Sequence, residues 1–198
     1  MNSHRAIVCA ALPAALCLLA ACSHTVPLRN VPVSLPKTAR LGPAPARFFV
    51  DRIKVPYRRD ERLGVSRSLA GDFWARVYSS GDLAAWAEGE WHAFLTRHGH
   101  SVVPRVREAD YAVTCDIVEI SADKKYDWIW DDDFSGSVKM TVKIVHRATA
   151  KTVFYRTLRG DHFLQRRGVY ENSSDNDLLL LCVSTAFQKA LEQISFNP

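Results

Sequence analysis

Few side chains in this 198-residue chain are spaced for chemistry. His92, His98 and His100 offer imidazoles, and a His-x-His pair at a helix end could ligate a metal. No carboxylate or cysteine stands at a matching spacing, and His92 and His98 fall on different faces of a helix. All three read as surface histidines. Asp131-Asp132-Asp133 supplies the carboxylates that calcium prefers. The alternating acidic positions, glycine and closing glutamate of a calcium loop are missing, so a solvated acidic turn is expected. Ser135-Gly136-Ser137 lacks the Gly-x-Ser-x-Gly context that exposes a nucleophilic serine. No glycine-rich phosphate loop occurs. These patterns predict a protein that is not an enzyme and takes no metal or diffusible cofactor.

Tyr126, Trp128 and Trp130 alternate with Asp127 and Ile129, between Lys124-Lys125 and the Asp triplet. Exposed aromatics ringed by charge suit a partner site, because they give large contact area at small entropic cost. Tyr126, Trp128, Trp130, Asp131, Asp132 and Asp133 are therefore a candidate partner-binding surface, with a sheet edge as a second. The alternative is a hairpin end whose aromatics fold onto a helix.

The cysteines divide into two groups. Cys9, Cys17 and Cys22 lie in or at the end of an apolar run, Ile7 to Ala21, preceded by Arg5. The run is shorter than the roughly 20 residues a membrane-spanning helix needs and has the plan of a secretory signal. Leu19-Ala20-Ala21-Cys22 resembles the lipobox of bacterial lipoproteins. That resemblance implies cleavage before Cys22, a diacylglycerol on its sulfur and an acyl group on its amine. Each buried methylene contributes about 0.8 kcal/mol, so two or more chains hold a protein stably on a bilayer. Ser23, where inner-membrane lipoproteins carry Asp, implies the outer membrane, with the protein facing the periplasm. Inner-membrane and cell-surface placements remain alternatives. The second group is Cys115 and Cys182, which an oxidising compartment would allow to pair. Two buried free thiols are the other possibility.

Removing residues 1–21 leaves one domain's worth of chain. The removed stretch contains one of the 26 Lys and Arg and none of the 21 Asp and Glu, so a formal +4 remains. The charges are scattered, with no basic stripe interleaved with aromatics, which argues against nucleic acid. Residues 22–46 hold Pro27, Pro32, Pro36, Pro43 and Pro45 without a sustained apolar period. They read as the lipidated cysteine and a semi-rigid tether, with a packed N-terminal arm as the alternative.

A single domain is expected over residues 47–198. Phe48–Val55 has strand composition, and Leu63–Val65 with Phe73–Tyr78 could form a short hairpin. Asp82 should cap a helix running to about His98 and closed by Gly99. Its apolar stripe is Leu83, Trp86, Ala87, Trp91, Phe94 and Leu95, interrupted by Glu90. A short strand follows at Ser101–Val103. Tyr111–Ile120 and Val138–Ile144 alternate with period two, and Thr152–Leu158 returns after a turn at Arg147–Lys151. Asp175 or Asp177 should cap a last helix striped by Leu179, Cys182, Val183, Ala186, Phe187, Ala190, Leu191 and Ile194. The fold class is α+β: a mostly antiparallel sheet with two helices packed on one face, a two-layer sandwich preceded by a signal peptide and an extended tether.

With these elements placed, the chain resembles the YajG-like small bacterial lipoproteins and the related auxiliary lipoproteins of ABC-type lipid transporters. The carriers are the lipobox, the Phe48–Val55 strand, Ala85-Trp86-Ala87-Glu88, Ala109-Asp110-Tyr111-Ala112-Val113, the meander and the amphipathic last helix. The resemblance implies a non-enzymatic interaction module of the cell envelope, auxiliary to an assembly or a lipid-transport apparatus. It would hold the bilayer through acylated Cys22 and bind an envelope protein. The alternative is a lipoprotein holding a lipid or wall fragment between sheet and helices.

Overall fold

The computed structural model describes residues 23–55, 62–67, 73–127, 131–167 and 174–196. In chain order the elements are β1 (Ser23–Pro27), β2 (Arg40–Leu41), β3 (Arg47–Lys54), β4 (Arg62–Arg67), β5 (Phe73–Ser80) and α1 (Leu83–Arg97). There follow β6 (Ser101–Val102), a 3-10 turn at Val106–Glu108, β7 (Tyr111–Asp127), β8 (Asp131–His146), β9 (Lys151–Arg167), α2 (Asp175–Leu191) and β10 (Ser195–Phe196). The fold is α+β, with both helices covering one face of an eight-stranded mixed sheet, and β2 and β10 form a separate two-stranded pair.

The frame is the antiparallel meander β7–β8–β9, whose strands run 17, 16 and 17 residues. The other edge of β7 is shared. β3 pairs in parallel with its first half (Phe48↔Tyr111 to Lys54↔Asp116), and β4 pairs in parallel near its end (Ser66↔Lys124, Arg67↔Lys125). β5 and then β1 extend the sheet beyond β4.

β7 outruns the sequence expectation because its polarity pattern changes phase. Tyr111, Val113, Cys115 and Ile117 face the core. A bulge between Ile117 and Glu119 then leaves Val118 half exposed and turns Ile120, Ala122 and Lys124 inward. One extra residue reverses every later side chain on a strand. The odd-numbered apolar series thus stops at Ile117 while the strand continues.

The first helix forms where its signals lie. Asp82 accepts hydrogen bonds from the Ala84 and Ala85 amides at 2.8 and 3.1 Å, and Gly99 follows the C-terminus at φ +80°, a conformation only glycine adopts freely. Leu83, Trp86, Ala87, Glu90, Trp91, Phe94 and Leu95 are its buried residues, the expected stripe with Glu90 included. The second helix is capped by Ser174, not by either aspartate. Its hydroxyl accepts from the Asp177 amide while Asp175 and Asp177 occupy the first turn. A hydroxyl suits the cap, and carboxylates suit the turn after it. α2 is buried on nearly every side, including Ser184, Thr185 and Gln188, because the sheet covers one side and the N-terminal segment another. It approaches β8 and β9 closely over Gly136 and Gly160.

Residues 23–46 are extended but not a free tether, so the packed-arm alternative holds from Ser23 onward. β1 pairs with β5, and Val26, Leu41 and Ala46 belong to the core. Asn30 donates to the Trp86 carbonyl and to Glu90. Thr38 and Ala39 donate their amides to Glu192 at 2.7 and 3.0 Å. The domain therefore starts near Ser23 rather than at residue 47.

Glu192 holds that arm to both helices. Its carboxylate also meets Arg97 at 2.5 Å and His98 Nε2 at 2.9 Å. Burial works against ionisation, but the hydrogen bonds from His98 and the Ala39 and Thr38 amides bring its pKa down to about 2. A depressed carboxyl stabilises the fold above its unfolded pKa and ceases to do so as pH falls through its folded value. Glu192→Gln should accordingly cost about 2–3 kcal/mol at neutral pH. The deficit should close as pH falls from about 4.5 towards 2, as urea titrations across that range would read.

Candidate functional site

The inner face of the long meander ends in charge. Lys124 of β7, Asp132 of β8, Arg166 of β9 and Asp175 at the start of α2 converge beneath the sheet end, packed on Phe134. Lys124, 2% exposed, lies 3.1 Å from Asp132 and 2.5 Å from Asp175. Arg166 pairs with Asp132 and reaches Asp175 at 3.0 Å. Lys124 Nζ and the Arg166 guanidinium stand 5.4 and 5.5 Å from the Phe134 ring centre, within cation–π range.

Among the described groups two cations face two carboxylates, and each element contributes one. Burial pushes against the Asp175 carboxylate, but the Lys124 hydrogen bond and the charges of Lys124 and Arg166 hold its pKa below the ordinary value. His24 of β1 lies alongside, and burial together with the Lys124 charge lowers its pKa. The cluster joins three strand ends, a helix N-terminus and the first residues of the arm, and its described ion pairs link these elements to one another.

Cys22, Trp128 and Trp130 lie outside the described residues. Tyr126 and Asp131 are placed by backbone register, Tyr126 opposite Asp132 and Asp131 opposite Asp127; their side chains are outside the described set. The Asp triplet opens strand β8 instead of forming a solvated turn, and Asp132 is taken up by the internal network. The residues missed were Lys124, Arg166 and Asp175. A signal existed: carried past the bulge, period two places Lys124, Asp132 and Arg166 all on the inward face.

The histidines are not a surface trio. His98 is 7% exposed at its side chain and bonded to Glu192, and His100 accepts from the Ala46 amide at Nδ1. Only His92 is exposed, beside Glu88.

Cys115 and Cys182 are free and buried, so the disulfide does not form. Cys115 pairs with Val142 on β8, whereas Cys182 sits over Gly136. Six residues of strand span about 20 Å, far beyond the roughly 7 Å limit for bridged Cα atoms. Burial pushes both thiols up to about 12. Both should resist iodoacetamide in the folded protein and react together on unfolding. A linked peptide in a non-reducing digest would contradict this.

The space between sheet and helices, where a lipid or wall fragment was an alternative, is filled by Phe187, Leu179, Met140 and Val138, all fully buried. An open cleft of about 620 Å³ lies instead where Ser121, Asp123, Ser135, Ser137, Asp161 and Phe163 meet. The outer edge of β9 is partly closed: Gln193 and Lys189 of the C-terminal helical segment donate to the Arg159 and Asp161 carbonyls at 2.5 and 3.3 Å. This covering discourages strand addition at the middle of the edge.

No family model matches the chain, and no curated protein does. Among solved structures it is similar to a protein of Xanthomonas campestris at 18% identity and TM-score 0.44, covering 87% of this chain and 89% of that one. It is similar to a lipoprotein of Neisseria meningitidis at 12% identity and TM-score 0.32, covering 68% and 90%. A minor lipoprotein of Acinetobacter baumannii matches at 12% identity and TM-score 0.36, covering 75% and 90%.

Proposed function

We propose that this chain is a lipid-anchored bacterial envelope protein, held to the periplasmic side of the outer membrane by acylated Cys22, and that it serves an envelope assembly or lipid-transport apparatus as a non-enzymatic interaction module. The observation that carries the reading is the register of β1. Ser23 pairs with Arg76, so the residue next to Cys22 is already fixed in the sheet. A lipid one residue away, at most about 3.8 Å in Cα spacing, would hold that sheet end at the bilayer without a spacer. The ends of β4, β7 and β9 point the same way, as their pairings require.

In this reading Tyr126, Trp128, Trp130 and Asp131–Asp133 form the partner surface, and the partner shares the membrane. Asp132 supports the surface from inside through Lys124 and Arg166. In cells given labelled palmitate, the wild type should take up label and pellet with membranes, and Cys22→Ala should do neither. A wild type that takes up no label overturns the anchor. Trp128→Ala/Trp130→Ala should keep the fold and lose co-purifying envelope protein; an unchanged set of partners overturns the surface.

A further inference from the structure

The end of the sheet away from Cys22 gathers charge that the sequence scatters. Arg47 opens β3, beside Ser101 of β6. Its carbonyl accepts from the Asp110 amide at 2.8 Å, and the Asp110 carbonyl accepts from the Arg147 amide at 2.8 Å. Three neighbouring chain segments are thus tied together in order. Lys151 pairs with His146 at the start of β9. The 3-10 turn brings in Arg105 and Arg107. Arg40 of β2 joins through β10, whose Phe196 ring lies 5.4 Å from Tyr111 at the head of β7.

All six cations are exposed. Among the described residues the carboxylates paired with them are Asp110, 3.0 Å from Arg47, and Glu108, at 3.8 and 3.9 Å from Arg105 and Arg107. Six described cations thus face two such carboxylates. At the opposite end Lys124 and Arg166 are matched by Asp132 and Asp175. Among the described residues the cap is thus a local cluster in which exposed cations outnumber carboxylates.

We propose that this basic cap is a docking surface for the carboxylate-bearing peptidoglycan of the cell wall. The occupant follows from charge and position. The cations are spread over adjoining strand ends and a turn, a layout that suits several contacts along an extended polyanion rather than a compact ligand. Through β5 and β4, Ser23 lies level with about Asp123 of β7, twelve residues from Tyr111. At about 3.3 Å per residue the cap stands some 40 Å away along the strand. Headgroups of the anchoring bilayer lie on the other side of the domain. Naming peptidoglycan rests on the lipid-anchor reading; the cap itself does not.

The test is co-sedimentation of the detergent-purified full chain with isolated peptidoglycan sacculi, at low and at high salt. The wild type should pellet at low salt and be released at high salt, because exposed charges are screened. Arg105→Gln/Arg107→Gln/Arg147→Gln should bind about tenfold more weakly with an unchanged thermal midpoint. Arg67→Gln/Arg76→Gln/Lys125→Gln, which removes equal charge from exposed positions at the other end, should bind within about twofold of wild type. Equal loss in both triples, no loss in the first, or binding to phosphatidylglycerol vesicles but not to sacculi would overturn the proposal. Cys22→Ala run alongside separates the two readings: sacculus binding at wild-type strength, with no palmitate on the wild type, defeats the anchor and leaves the cap.

Discussion

Gly160→Ala is expected to destabilise the folded chain by about 3 kcal/mol or more, the upper end for an overpacked core. A Cβ at position 160 would lie 1.9 Å from the Ala186 carbonyl oxygen and 2.8 Å from the Ala190 amide, both backbone atoms of α2. Neither can turn aside as a side chain could, so the helix must lift from β9. Gly136 meets the same helix one strand away, where an added Cβ would lie 2.5 Å from the Cys182 carbonyl carbon. Lifting α2 would also loosen Leu179, Phe187 and Leu191, each fully buried. Gly99→Ala is the comparison. It has open space, and its only cost is the left-handed backbone at φ +80°, about 1–2 kcal/mol. Urea denaturation should rank Gly160→Ala well below Gly99→Ala; equal midpoints would contradict the close approach of helix and sheet.

Lys124→Met is expected to cost about 3–5 kcal/mol, as removing one partner of a buried ion network does. The methionine fits the volume, but Asp132 and Asp175 then face Arg166 with one cation between two carboxylates. The loss is mainly the uncompensated charge rather than the packing. Restoring balance should recover much of it, so Lys124→Met/Asp132→Asn should be more stable than Lys124→Met alone. A double-mutant cycle reads the coupling. The pH dependence has a definite sign. The folded pKa of Asp175 is depressed, so its contribution is present at neutral pH and falls away as pH drops through the folded value. The penalty of Lys124→Met should therefore shrink in acid. A penalty that is independent of pH would mean that volume, not charge, sets the role of Lys124.

Where local chemistry is self-sufficient, the elements were legible. Asp82, the stripe from Leu83 to Leu95 and Gly99 delimit the first helix because cap, period and stop are all local signals. The hairpin of β8 and β9 follows from alternation, and its turn at Arg147–Ala150 falls where the polarity breaks. The misreadings share a cause. His98, His100 and Asp132 look like surface polar groups, and each is buried against a partner 34 to 94 residues away in sequence: Ala46 for His100, Glu192 for His98 and Arg166 for Asp132. Ser174 took the cap from the nearby aspartates, a competition between adjacent oxygens that composition does not resolve.

From its sequence alone this chain determines an apolar run, Ile7 to Ala21, before Cys22, two amphipathic helices, a long β-meander and the absence of any recognised catalytic motif. All of these are written in residue type and spacing within a few turns of chain. Tertiary structure alone decided that the proline-rich segment is a packed arm, since its hold depends on Glu90 and Glu192 in the helical layer. It decided that Cys115 and Cys182 stand apart, because strand register sets their separation. It also sorted the charges, bringing Lys124, Asp132, Arg166 and Asp175 together in a part-buried joint at one end and gathering Arg47, Arg105, Arg107 and Arg147 on the exposed surface of the other. Hydrophobic periodicity acts over neighbouring residues, whereas ion pairing acts through space between strand ends that only the folded sheet brings together.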